Sequence, residues 1–245
     1  SPSVGRYLAG TLKVPPERMT VINNGVSEPL TGSESERARA RENLGIDRRD
    51  IVIGSVGRMD NESHKRFADL ILAFAELPKN PPTKLVLVGD GRDRSMLEHL
   101  ATEVVVRDRV IFAGHQYPVG PFYGVMNIFA LASEREAFGL VNAEAMRAGL
   151  PVVATAVGGI PDIVVHEETG LLVPPRDVQQ LRASLSRLIT GPAERQVMGS
   201  AGKRRADEKF SAERYVKDVR TFYETQLARQ LRGSQITGSR KAPRQ

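Results

Sequence analysis

The chain has 245 residues, 40% of them hydrophobic and 26% charged, which is enough to bury a substantial core and excludes general disorder. It contains no cysteine, which excludes disulfide staples, thiolate zinc sites and cysteine nucleophiles. The net charge of +6 is uneven: Arg232, Arg240, Lys241 and Arg244 follow residue 230 with no acid among them, and subtracting those four leaves +2 on residues 1–229, too little for a nucleic-acid footprint.

Residues 1–50 read as a lead-in segment joined to the main domain. A short helix over Pro2–Leu12 precedes the strand-like MTVIN (19–23) and the turn Asn24-Gly25, and a polar stretch leads to a helix over Glu36–Leu44. From residue 51 to about 230, strands alternate with helices. IVIGSV (51–56) is a short apolar run ending at Gly57, as a buried parallel strand does. A helix over Lys65–Leu77 follows, with Phe67, Leu70, Ile71, Phe74 and Leu77 at helical spacing. Then come strand 84–88, helix Arg94–Glu103, strand 109–113, helix Val119–Met126 and strand 128–132.

The alternation continues with helix Phe138–Ala148, closed by Gly149 as a C-cap residue, and strand 151–155 with its Pro in first position. A short helix near Ile160–Val165, strand 171–173 and three helices near Asp177–Leu188, Ala193–Lys209 and Ala212–Gln230 complete the body. Residues 231–245 lack apolar periodicity and read as a basic, unstructured tail, with contact to anionic lipid as its alternative use. Parallel βαβ units predict an α/β fold: a doubly wound, Rossmann-like parallel sheet flanked by helices. Ligands of such sheets bind beyond the carboxyl ends of the strands. No apolar run approaches the ~20 residues of a membrane span. The start, SPSVGRYLAG, lacks the regions of a signal peptide, so a cytoplasmic location is expected.

Several segments at the strand ends have the chemistry of a phosphate and sugar site. Arg58 follows Gly57, and Lys65 stands where the next helix starts; two cations there would flank a pyrophosphate over a helix N-terminus, or be solvated surface charge. In EAFGLVNAE (136–144), Glu136 lies in the loop after strand 128–132, Phe138, Gly139 and Leu140 open a helix with free N–H groups, and Glu144 lies inside it. Carboxylates grip vicinal hydroxyls well. A capping acid and a surface acid fit the same spacing. AVGGIPDIV (156–164) brings backbone close to whatever lies beyond its strand, or is a plain turn. VGDGRD (88–93) is not GxGxxG and reads as a structural turn, which weighs against a nicotinamide dehydrogenase. His64, His99, His115 and His166 are scattered without ligand spacing, and no paired-aspartate metal cluster is visible.

Taken in order, VINNGV, VGRM with Lys65, VGDG, VIFAGH, the run EAFGLVNAEAMRAGLPVVATAVGGIPDIV and ETGLLVP resemble the donor-binding domain of the retaining GT-B glycosyltransferases of group 1, also called glycosyltransferase family 4. The resemblance covers about residues 1–225 and implies a donor-binding half whose acceptor-binding N-terminal domain these residues do not supply. It implies that Arg58 and Lys65 neutralise the donor diphosphate and that Glu136 acts at the transferred sugar as the catalytic residue. The backbone around Phe138, Gly139 and Leu140 would contact sugar and phosphate, Glu144 would hold the ribose, and the segment Phe112–His115 would receive the nucleobase. The substrate implied is a nucleoside-diphosphate sugar, with no metal or other cofactor. Where the family often has Lys-Gly, Arg66 follows Lys65 and adds a third cation. The alternatives to a transferase half are a nucleotide-sugar-binding module without turnover and half of a sugar-nucleotide epimerase.

Overall fold

The computed structural model describes residues 1–27, 29, 31–60 and 64–238, with side chains described as far as residue 231. Six strands, β1 (Ile51–Val56), β2 (Thr83–Val88), β3 (Val110–Gly114), β4 (Ile128–Leu131), β5 (Val152–Thr155) and β6 (Gly170–Val173), form one sheet in the order β3-β2-β1-β4-β5-β6. Every pairing is parallel. The expected α/β doubly wound sheet is what the chain forms, and strand alternation shows why. Ile53, Leu85, Leu87, Ile128, Ala130 and Val153 point into one core, while Val52, Val86, Val88, Phe129, Leu131, Val152 and Ala154 point into the other. A strand buried on both faces needs apolar residues at every position.

The first core lies under α3 (Phe67–Ala75), α4 (Arg94–Glu103) and α8 (Val178–Thr190). The second lies under α5 (Gly120–Val125), α6 (Leu140–Arg147), α7 (Ile160–Ile163) and α9 (Pro192–Phe210). Asp177 caps α8 by accepting the Gln180 N–H at 2.9 Å. Gly149 ends α6 in a left-handed turn, φ 78°, as expected of it.

The lead-in segment carries α1 (Pro2–Thr11), a 3-10 turn (Pro16–Arg18) and α2 (Glu34–Asn43), the last started by a capping box between Ser33 and Glu36. The strand expected at 19–23 does not form. Those residues reach neither edge of the sheet, and the pairing in this stretch is a bridge between Val26 and Ser211. The last helix, α10 (Ala212–Gly238), runs past its expected end near residue 230 into what was read as an unstructured tail. No proline interrupts the chain there before Pro243. Arg240, Lys241 and Arg244 of that tail lie outside the described residues. Among the described residues, no helix is long and apolar enough to cross a membrane.

Candidate functional site

β1 and β4 lie side by side, and the chain leaves them in opposite directions, β1 toward β2 and β4 toward β5. A crevice opens beyond the carboxyl ends of such a strand pair. Residues 57–60 and 64–65 on one side and 133–139 on the other reach it, tied together by the Glu134 N–H donating to the His64 carbonyl at 2.8 Å. Lys65 Nζ meets Glu136 Oε2 at 2.5 Å, with side chains only 16% and 17% exposed. Charge assistance shortens such a bond. The lysine stem lies over Gly57, whose missing Cβ would stand 3.3 Å from Lys65 Cγ. Arg58 is 71% exposed, its Nε 3.5 Å from Asp60.

The third cation does not join this pair. Arg66 caps α3 in the left-handed region, φ 49°, the conformation in which glycine is unstrained. Its guanidinium grips the buried Asp69 through Nε at 2.6 Å and Nη2 at 2.9 Å, and reaches Glu134 at 3.4 Å. The bond to Asp69 raises the arginine's pKa above its ordinary value. Arg176, 2.5 Å from Glu134, holds that carboxyl below the usual range.

α6 starts at Leu140 with Gly139 as N-cap, two residues later than expected, and no side chain caps it. The open amides of this terminus are therefore centred on Gly139–Val141. Phe138 lies before the helix; its ring is buried edge-on against Phe210 with centroids 5.8 Å apart, so only its backbone faces the crevice. The Gly158-Gly159 turn supports this loop from below. The Gly159 N–H donates to the Glu136 carbonyl at 3.1 Å, and a Cβ on Gly158 would collide with that same oxygen. The VGDG loop is structural, as expected: Gly57 N–H bonds Val88 O at 3.0 Å, and Met59 N–H bonds Asp90 O at 2.9 Å.

Among the described residues, Glu144 and Lys65 line different cavities. Lys65 lines a cavity of about 120 Å³ with Met59, Asp60, Arg66 and Glu134, whereas Glu144 lines one of about 450 Å³ with Gln116, Tyr117, Tyr123 and Leu140. Residues that the sequence suggested as one constellation thus stand at two different cavities, the first walled by the β1–α3 connection, α3 and α4 and the second by the start of α6. Glu136 meets Lys65 at the rim of the first without lining it, and Leu140 and Glu144 line the second. Glu144 Oε2 accepts from the buried Tyr123 hydroxyl at 2.7 Å. Burial, and then the glutamate charge, pushes the tyrosine well above its usual pKa.

The β3 side of the larger cavity is formed by Gln116–Val119, one residue beyond the expected segment Phe112–His115. The Phe112 ring packs into the first core with Arg107 5.4 Å over its face, so its backbone alone is left for a ligand. His115 is exposed. Among the described residues, no three His, Asp or Glu side chains cluster as metal ligands.

Sequence reasoning missed Tyr123, Asp69, Glu134 and Asn142. Tyr123 carried a signal, since a tyrosine buried in an apolar helix needs a partner for its hydroxyl. So did Asn142, a polar residue at a core position of an amphipathic helix.

The sequence model of the family described as "Glycosyl transferases group 1" matches residues 36–205, more than half of the chain. The N-acetyl-alpha-D-glucosaminyl L-malate synthase of Bacillus anthracis is 34% identical over 159 residues, covering 65% of this chain and 42% of that protein. The structure of Anabaena HepE in complex with UDP and glucose superposes with a TM-score of 0.82 at 26% identity, covering 91% of this chain and 60% of that one. Sucrose-phosphate synthase from Thermosynechococcus elongatus superposes with a TM-score of 0.83 at 31% identity, covering 93% and 57%. The chain spans about half the length of the relatives it matches.

Proposed function

The chain belongs to the group 1 glycosyltransferases, and from that premise we propose that it is the donor-binding half of a retaining enzyme that moves a sugar from a nucleoside-diphosphate sugar to an acceptor. The observation that carries this is the meeting of Lys65 and Glu136 at the β1–β4 crevice, beside the uncapped start of α6. In this reading Lys65, Arg58 and the α6 amides take the diphosphate, whose charge grows as the glycosidic bond breaks. Preorganised donors and cations stabilise such a developing charge, and the reading calls for no metal. Glu136 then stands at the transferred sugar and Glu144 at the ribose, with the base toward Gln116–Val119. The acceptor would be bound by the half that the relatives possess beyond the matched region. HepE has been seen with UDP and glucose, which makes UDP the first nucleotide to try here.

Calorimetry of the chain with UDP, GDP, ADP and dTDP tests the reading. One of the four binds, and Lys65→Ala and Glu144→Ala each weaken it about tenfold to a hundredfold, the ~1.5–3 kcal/mol of a lost charged hydrogen bond. Unchanged affinity in both variants would sink the assignment.

A further inference from the structure

Asn142 is the third residue of α6 and is fully buried, yet neither polar atom of its side chain has a hydrogen-bond partner. Buried amides are almost always paired, and one left open needs an explanation. Its Nδ2 lies on the face of Gly139 from which a side chain would project: a Cβ there would stand 2.8 Å from Asn142 Nδ2 and 3.4 Å from Glu136 Cγ. Because Gly139 has no side chain, the amide and the glutamate stem border the same small space.

Glu136 is held by Lys65 and is only 17% exposed. An incoming diphosphate carries more negative charge than one carboxylate and competes for the same ammonium. Once Lys65 turns to it, Glu136 is left in a poorly hydrated crevice beside a second anion. A neutral N–H donor relieves that carboxylate without competing for the phosphate.

We propose that Asn142 is a positioning residue: its amide donates to the Glu136 carboxylate once a bound diphosphate has drawn Lys65 away, and so keeps Glu136 aimed at the sugar. This rests on the donor-site reading. It also accounts for the open amide, which in the free protein waits for a carboxylate that Lys65 still holds.

Nuclear magnetic resonance of the ¹⁵N-labelled chain tests the hand-over. The Asn142 side-chain amide peaks are identified by their loss in Asn142→Ala, or in the shape-preserving Asn142→Asp should the alanine variant not fold. On saturation with whichever of UDP, GDP, ADP and dTDP binds, they move downfield and exchange more slowly with water. In Glu136→Ala the nucleotide still binds and the peaks stay in place, a difference that a merely structural asparagine would not produce. Peaks that are unmoved at saturation, or that move equally without Glu136, overturn the proposal. If none of the four nucleotides binds the unmodified chain, the donor-site reading falls first and the proposal with it.

Discussion

Glu144 is presented to its cavity by one hydroxyl. Tyr123 donates to it from a position 1% exposed, and burial keeps the phenol protonated. Tyr123→Phe leaves Glu144 half-buried and able to find water, so we expect a loss of about 1 kcal/mol in stability. Nucleotide affinity should fall severalfold, because the carboxylate loses its fixed rotamer. Denaturant titration and calorimetry measure the two. The raised pKa also sets a pH dependence. The folded state holds this proton more tightly than the unfolded one, whose phenol titrates near 10.0. The stabilisation is therefore complete below pH 10 and declines as the pH rises above it. Melting temperatures from pH 9 upward should fall more steeply for the native chain than for Tyr123→Phe, and parallel curves would contradict this.

Loops and helix ends decide where the site residues point. The Glu136 loop rests on Gly158, which has φ 53° and no room for a Cβ against the Glu136 carbonyl. Left-handed backbone costs an ordinary residue ~1–2 kcal/mol before any clash is counted. Gly158→Ala should thus destabilise the fold by about 2–4 kcal/mol and displace Glu136 from Lys65. Chemical denaturation gives the first effect, and a lost response of nucleotide affinity to Lys65→Ala gives the second. The helix ends also explain the reach of the sequence at this scale. Gly149 closed α6 where expected, because a glycine after a helix has one strong reading. The start of α6 lay two residues later than expected, because Phe138 fits the helical apolar spacing but is drawn instead into a ring contact with Phe210.

Across the whole molecule, the lead-in segment is fastened to the last helices. Arg147, 7% exposed, donates to the Val26 carbonyl at 2.7 Å and to Asp207 at 3.0 Å, joining the first 50 residues to α6 and α9. Val26 in turn bonds Phe210 and Ala212 through its N–H and carbonyl, at 2.8 and 3.1 Å. Arg147→Ala removes one of the two donors to the Val26 carbonyl together with the pair to Asp207, and should cost about 1–3 kcal/mol by urea denaturation. Arg147→Lys should recover only part of that, since an ammonium cannot span both partners as a planar fork does. A variant as stable as the parent would show that the segment is held by other contacts.

The amino-acid sequence by itself determined the order of elements, the doubly wound class and the family. Unbroken apolar runs between amphipathic stretches admit few other arrangements, and the run 136–164 carries its backbone chemistry in its own residues. It also marked Lys65, Glu136 and Glu144 as residues of interest. Tertiary structure alone decided which of them touch. Lys65 meets Glu136 across 71 positions and Tyr123 meets Glu144 across 21, and Arg66 turned to Asp69 and Glu134. Such pairings depend on how two loops return to one sheet edge and on which side chains burial leaves without water, and neither is encoded in local spacing.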